Sequence, residues 1–323
     1  MASRRRLPVL ALTALWALAS CAQFLPVAPV PVPPERPDPP PPAASPLPPE
    51  PPREADPESL ELKTYYRRVQ EGLLAQGLLR TDGGGPDTPF GQRQLVENFV
   101  RIALYEEYTS VGGRMIARER ASRLHRWEGP VRMSIEFGPT IPADKQVRDR
   151  NAIVGFAKRL SRITGLPIKQ VSSGANFEVF VVNEAERRAL VPRLRSTIPG
   201  MTETALSTLS DLQKSSYCLV FAIDDDTTGA YRRAVAIVRG EHPDLLTLSC
   251  IHEEIAQGLG LSNDSPAARP SIFNDDEEFG LLTTMDEYLL RMLYDRRLRS
   301  GMTEAEARPI AEEIAAELLG ADS

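Results

Sequence analysis

The chain has 323 residues with a formal net charge of −6, and 42% of its residues are hydrophobic. This length and composition suffice for one large core or for a main domain with a helical preface. There is no basic excess of the kind that nucleic-acid-binding domains carry, so nucleic acid is excluded as the expected partner.

The first 20 residues have the three regions of a secretory signal. Residues 4–6 are arginines, residues 7–19 form an apolar run too short to span a bilayer, and Leu18-Ala19-Ser20 leads into Cys21. A cysteine in this position resembles the bacterial lipoprotein box, in which the cysteine is acylated and becomes the mature N-terminus. An ordinary secretory signal with an incidental cysteine is the alternative. We predict a lipoprotein signal peptide over residues 1–20 and lipidation at Cys21.

A lipidated Cys21 anchors the protein to a membrane through its acyl chains, without a spanning helix. Removal of residues 1–20 takes away three arginines and changes the net charge from −6 to −9. Ala22 follows the cysteine, and in Gram-negative lipoproteins the lack of Asp there implies the outer membrane. The predicted location is therefore the cell envelope, at the outer membrane and facing the periplasm.

Residues 21–56 are predicted to be the lipidated cysteine and a tether. Of the 29 prolines in the chain, 15 lie between residues 26 and 52. Such a segment forms a polyproline II spacer and not a packed domain. A proline-rich ligand for a partner is the alternative interpretation of the same segment.

Residues 57–126 are predicted to be a helical preface. Apolar residues recur at helical spacing over residues 57–80 and again over residues 92–108, so both segments are predicted amphipathic helices. The following segment is rich in arginine, at positions 114, 118, 120, 123 and 126. A solvated helix face is the preferred interpretation, and contact with anionic lipid or a cell-wall polymer is the alternative.

From Trp127 onward the pattern changes to alternation. Residues 131–137 alternate apolar with polar and predict a half-buried strand, residues 148–163 predict a helix, and a second strand begins at Phe177. Residues 217–223 are apolar on both faces, which predicts a central strand paired with residues 231–238.

The connection between the last two strands, residues 224–229, contains three consecutive aspartates. Carboxylates can bind calcium, but these lack the spacing of an EF-hand loop. We predict a turn.

Two cysteines remain after Cys21, namely Cys218 and Cys250. An even pair in an oxidising compartment favours a disulfide, and two buried free thiols are the alternative. Residues 245–261 then predict a helix with apolar residues on one face and Cys250, Glu253, Glu254 and Gln257 on the other. Further helices are predicted over residues 281–294 and, from a Thr303 and Glu306 capping pair, up to residue 319.

The helix at residues 245–261 has the frame of a zinc-protease helix, HExxHxxGxxH, with Gly260 as the turning glycine. In this frame Glu254 occupies the position of the catalytic glutamate. The three positions that hold zinc-binding histidines are occupied by Glu253, Gln257 and Asn263. A frame shifted by one recovers His252 and Glu253 as an H-E pair, but it loses the glycine and the second ligand.

The order of elements, the frame around Gly260, and Leu282-Thr283 with Asp286 and the later Leu293-Tyr294 pair are similar to the zincin-like catalytic domain. Phe273 stands where a Met-turn is expected. The run 253–264, with Ser-Ile-Phe-Asn-Asp after it and Gly301-Met302-Thr303, more closely resembles domain of unknown function 2927, a bacterial envelope family. The resemblance implies an α+β fold over residues 127–323, with a twisted sheet packed on helices and a degenerate HExxH-type helix.

Three functional hypotheses follow. In the first, the domain is a non-catalytic binding or scaffolding module for an envelope protein or cell-wall polymer, and a polar network, comprising His252, Glu253, Gln257, Asn263 and Asp264, is structural. This hypothesis predicts no bound metal and no cofactor. In the second, an extracytoplasmic hydrolase, either a metal-dependent peptidase or a cell-wall enzyme, uses Glu253 and Glu254, with Glu254 catalytic. In the third, the N-terminal helices or the tether act as an adaptor.

Overall fold

The computed structural model describes residues 54–111, 114–274 and 276–321. The signal peptide, Cys21 and most of the tether lie outside these residues. Within them, no helix combines the length and the apolar character that crossing a membrane requires.

The helices are α1 Pro57–Ala75, α2 Gln92–Ala103, α3 Ala143–Thr164, α4 Glu184–Thr197, α5 Glu203–Ser210, α6 Asp244–Gln257, α7 Thr284–Leu293 and α8 Glu304–Ala321. The strands are β1 Tyr105–Val111, β2 Arg114–Ala121, β3 Val131–Phe137, β4 Ile168–Gln170, β5 Phe177–Val182, β6 Cys218–Asp224 and β7 Tyr231–Arg239. This arrangement confirms the predicted α+β class.

The main sheet has the strand order β4-β3-β5-β7-β6. The first four strands are parallel, and β6 pairs with β7 in the antiparallel direction. Residues 177–182 of β5 pair in register with residues 234–239 of β7. β4 and β6 are thus the two edge strands.

Alternation along the central strands gives the sheet two buried faces. Val179 and Ala236 point into the larger core, which also takes residues of α2, α3, α6, α7 and α8. Phe180 and Ile237 point to the other side, into a smaller core built with α4 and α5. Because α2 shares the larger core, the second helix of the predicted preface is packed within the same hydrophobic interior as the sheet.

The segment after α2 differs from the prediction. Helix α2 ends at Ala103, and residues 105–111 and 114–121 form an antiparallel hairpin, β1 and β2, where the sequence predicted helix. Tyr105, Tyr108, Thr109 and Val111 are aromatic or β-branched residues, which favour strands. Tyr105 continues the helical spacing of Leu95, Phe99 and Ile102, and this coincidence extended the predicted helix too far.

The position of β6 also differs from the prediction. It is an edge strand and not a central one, although it pairs with β7 as predicted. Phe221 is buried in the smaller core, whereas Cys218, Val220 and Ala222 on the other face are only partly buried. These three residues pack against the larger core, so both faces of β6 contact hydrophobic interior although the strand lies at the edge of the sheet.

The turn predicted between β6 and β7 is present. The Asp225 carboxylate accepts hydrogen bonds from the backbone N–H groups of Thr227 and Thr228, at 3.0 and 3.1 Å. The Thr227 hydroxyl also donates to this carboxylate, and its bond makes the largest contribution to lowering the pKa of Asp225 to about 2. The two backbone bonds lower the pKa further. Asp225 therefore stabilises the turn.

Candidate functional site

A cavity of about 420 Å³ runs along β6. Eight consecutive residues, 215–222, line it, and five of them, 218–222, belong to β6. Neighbouring residues of a strand point to opposite faces, so an unbroken run can line one cavity only if the cavity follows the edge of the strand. The backbone edge of β6 that does not face β7 is therefore one wall of the cavity.

Helix α6 supplies a second wall. Leu246, Ile251 and Ile255 are buried in the protein interior and fix the orientation of the helix. That orientation turns Glu253, Glu254 and Gln257 toward the cavity, which they line. Glu254 is only 4% exposed. The amphipathic pattern predicted for this helix therefore places three polar side chains at the cavity.

The chain after α6 turns at Gly260. This residue has φ of +124°, and a Cβ built on it lies 2.2 Å from the backbone oxygen of His125. Any larger residue is therefore excluded both by conformation and by space. The turn sends the chain back so that Ser262 and Asp264 also line the cavity.

The predicted disulfide between Cys218 and Cys250 is present and joins β6 to α6, with its two Cα atoms 5.8 Å apart. Cys218 lines the cavity, whereas Cys250 is buried beside His242, whose Nδ1 lies 3.7 Å from its sulfur. Burial holds the pKa of His242 well below its ordinary value, so the ring is neutral at physiological pH. The bond thus fixes the distance between two walls of the cavity.

The best potential metal ligands among the described residues are Glu253, Glu254 and Cys218. One ligand atom from each lies within 4.8 Å of the others. The Cys218 sulfur is bonded to Cys250 and offers no thiolate, which is the form that binds zinc. Two carboxylates from adjacent residues remain, and this donor set does not fit zinc.

His252 and Asn263 have other positions. The His252 ring stacks on Phe156 at 4.0 Å, and its Nδ1 accepts the backbone N–H of Leu282 at 3.0 Å. Burial lowers its pKa to about 3. Asn263 donates to the carbonyl of Arg101, at the end of α2, at 2.9 Å. Of the five residues in the predicted polar network, Glu253, Gln257 and Asp264 line the cavity. His252 and Asn263 do not line it, and they contact Phe156 and Leu282 and the end of α2, respectively.

Sequence reasoning missed three further acids at the cavity, because they come from distant segments. Glu106 belongs to β1, Asp224 ends β6, and Glu277 lies in the loop before α7. His125 stands beside Asp224, with its Nδ1 3.2 Å from the carboxylate, and stacks on Tyr231 at 5.7 Å. Only the acidic run at 224–226 gave a local signal, and that run was predicted to be a turn.

A buried arginine holds the loop that leads into β6. Arg239, 1% exposed, donates to the carbonyls of Leu212, Gln213 and Ser216 at 2.9 to 3.1 Å. Its guanidinium is also paired with Glu184, 5% exposed, at 2.5 Å. Charge-assisted bonds to three carbonyls fix this loop, and so they fix residues 215–217 of the cavity wall.

No curated protein and no solved structure matches the chain. The family described as Protein of unknown function (DUF2927) matches residues 92–313, which include the whole sheet, α6 and every residue that lines the cavity. Because this match spans more than half of the sequence, the chain belongs to that family.

Proposed function

We propose that the chain is a non-catalytic binding protein of the bacterial envelope, which takes an extended polypeptide segment along the free edge of β6. The unbroken lining of the cavity by residues 215–222 carries the proposal. Among the described residues, β6 pairs only with β7. An added strand binds an exposed edge through main-chain hydrogen bonds, and the pockets beside the edge select its side chains.

The envelope location is supported by the sequence of residues 1–56. The lipobox at Cys21 and the proline-rich tether would hold the domain near a membrane, with reach into the periplasm. The degenerate zinc-protease frame of α6 supports a binding role derived from a zincin-like architecture. The frame lies on α6, beside the strand edge along which the polypeptide would bind.

The absence of catalysis is supported by the chemistry of the ligand positions. Glu253 and Gln257 replace two histidines of the frame, and Asn263 replaces the third while bonded to the end of α2. Zinc prefers imidazole and thiolate ligands, so oxygen side chains bind it poorly. The disulfide removes Cys218 as a substitute.

Amide hydrogen exchange tests the binding mode on the full-length protein in detergent, with a peptide selected from a library of extended sequences. Binding along β6 protects amides of residues 218–224, while β4, the opposite edge strand, serves as the internal control and is unaffected. N-methylation of the peptide at alternate residues should abolish binding in one register and leave it intact in the other. Protection elsewhere, or indifference to N-methylation, would contradict strand addition.

The second candidate is an extracytoplasmic hydrolase that uses Glu253 and Glu254. It is favoured by the closeness of these two carboxylates at one cavity wall. Elemental analysis of the full-length protein separates the two functions, together with peptide and glycan cleavage assays. Stoichiometric metal that is lost in Glu253→Ala, or cleavage abolished in Glu254→Gln at unchanged stability, would favour the hydrolase.

A further inference from the structure

Three polar side chains outside the protease frame form a row beside the cavity. The Ser122 Oγ lies 3.3 Å from Nε2 of His125, and Nδ1 of the same ring lies 3.2 Å from the Asp224 carboxylate. Hydroxyl, imidazole and carboxylate in this order are the nucleophile, the base and the orienting acid of serine-dependent acyl transfer. The first distance is at the long end of the range for a nucleophile and its base, as is common before a substrate binds.

The hydrogen-bond partners of His125 assign its tautomer. Besides Asp224, Nδ1 contacts the carbonyl oxygen of Gly229 at 3.0 Å. A carbonyl and a carboxylate can only accept, so Nδ1 carries the proton, and Nε2 of the neutral ring presents its lone pair to the Ser122 hydroxyl. The ring is therefore oriented as a base toward Ser122.

Packing around the ring fixes this orientation. Tyr231 stacks on His125 with ring centroids 5.7 Å apart, and burial raises the pKa of Tyr231, so its phenol stays neutral. Leu124, which precedes His125, is fully buried, and its N–H donates to the carbonyl of Met302 at 2.8 Å. The segment that carries Ser122 and His125 is therefore anchored to the interior.

The Ser122 hydroxyl lies at the cavity. Ser122 is half-buried, and its Oγ lies 2.7 Å from the carboxylate of Glu106. Glu106, His125 and Asp224 line the cavity, so the hydroxyl contacts two lining side chains. It can donate its proton to either of them, and an imidazole is a stronger base than a carboxylate. His125 is therefore the group that takes the proton when Oγ acts as a nucleophile.

We propose that Ser122 is an acyl-acceptor site for a carboxylic ester bound in the cavity. Oγ attacks the carbonyl carbon of the ester while its proton passes to Nε2 of His125. The Oγ–C bond forms, the bond between the carbonyl carbon and the leaving oxygen breaks, and Nε2 gives its proton to that oxygen. An alcohol is released and an acyl-serine remains. Asp224 is a positioning residue, which acts through the ring.

An ester is the substrate class that this chemistry fits. Phosphoryl transfer relies on cations around the charged oxygens, whereas the Ser122 Oγ contacts a carboxylate and an imidazole. A single transfer to the protein is a covalent form of binding and requires no turnover. The inference thus goes beyond the proposed function and does not depend on strand addition.

The test treats the full-length protein in detergent with p-nitrophenyl acetate. Release of p-nitrophenolate gives the rate, the intact mass gives the number of acetyl groups, and peptide mapping locates them. One acetyl group per chain is expected on Ser122, transferred at least about a hundredfold faster than to Ser215, an exposed serine that lines the same cavity. Mapping on the unaltered protein does not depend on whether a variant folds.

Variants assign the role of each group. Ser122→Ala should abolish this labelling, His125→Gln should slow it about a hundredfold, and Ser215→Ala should leave it unchanged. Asp224→Asn should slow it about tenfold or more, and Asp224→Glu should restore part of the rate, because a carboxylate again accepts the Nδ1 N–H. Circular dichroism checks that each variant is folded.

The outcomes separate the two proposals. Acetyl groups confined to lysine side chains, or transfer to Ser122 no faster than to Ser215, would overturn the acyl-acceptor site. A folded Asp224→Asn variant that is labelled at the unaltered rate would overturn the positioning role of Asp224. Hydrogen exchange tests strand addition separately, so either proposal can fail while the other holds.

Discussion

The disulfide should contribute a large share of the stability of the protein. Cys218 and Cys250 are 32 residues apart in the sequence. On the chain-entropy model, a loop of this length constrains the unfolded chain by about 3.7 kcal/mol at 25 °C. For a domain of this size, that loss corresponds to a decrease in melting temperature of roughly 7 to 15 °C.

The variant for this test carries both Cys218→Ala and Cys250→Ala, so that no unpaired thiol is left. Thermal and urea unfolding of the full-length protein in detergent measure the change, and dithiothreitol should shift the unaltered protein toward the melting temperature of the double variant. Cys21→Ala is the matched control, because it removes a cysteine outside the disulfide. A loss of free energy of unfolding below about 1 kcal/mol, or an equal effect of dithiothreitol on the double variant, would refute the reasoning.

Four further outcomes are expected. Detergent partitioning of the full-length protein should be lost in Cys21→Ala, and unchanged membrane association would contradict lipidation. Glu254→Gln should cost about 1 to 3 kcal/mol of stability as a disturbed buried polar group, and a chelator should leave the melting temperature of the unaltered protein alone. The pKa of His252 is about 3 in the fold against an ordinary 6.5, so the unfolded chain binds the proton more tightly. Its contribution to stability is complete above pH 6.5 and is lost as the pH falls toward 3, by up to about 5 kcal/mol, and His252→Gln should flatten this part of the unfolding profile. Gly260→Ala should destabilise the protein by about 2 kcal/mol or more in urea unfolding, whereas Gly129→Ala, with no atom within 4 Å of the added carbon, should have little effect.

Local patterns predicted those parts of the fold that depend on local chemistry. β3 follows from alternation, and the capping pair before α8 forms as predicted, with the Glu306 carboxylate accepting the backbone N–H of Thr303 at 2.8 Å. The disulfide followed from the number of cysteines and the expected compartment. Each of these features is determined within a few residues or by a simple count.

The remaining features depend on neighbours that are distant in sequence. β6 was predicted to be central because both of its faces are apolar, and both contact hydrophobic interior although the strand lies at the edge of the sheet. Glu106 and Glu277 are 171 positions apart in the chain, so no spacing rule connects them. The acids of α6 were identified by the protease frame, and the acids around them became visible only through the fold.

The edge of β6 that does not face β7 also affects whether copies of the protein associate with one another. Unpaired strand edges are the usual starting point of aggregation, and natural proteins protect them with charge. Antiparallel pairing of two copies through β6 would bring the six carboxylates that line the cavity of each copy close to those of the other. Under the proposed lipid anchor, copies side by side on one membrane surface would meet at high local concentration. The acidic lining would then disfavour pairing between two copies through this edge.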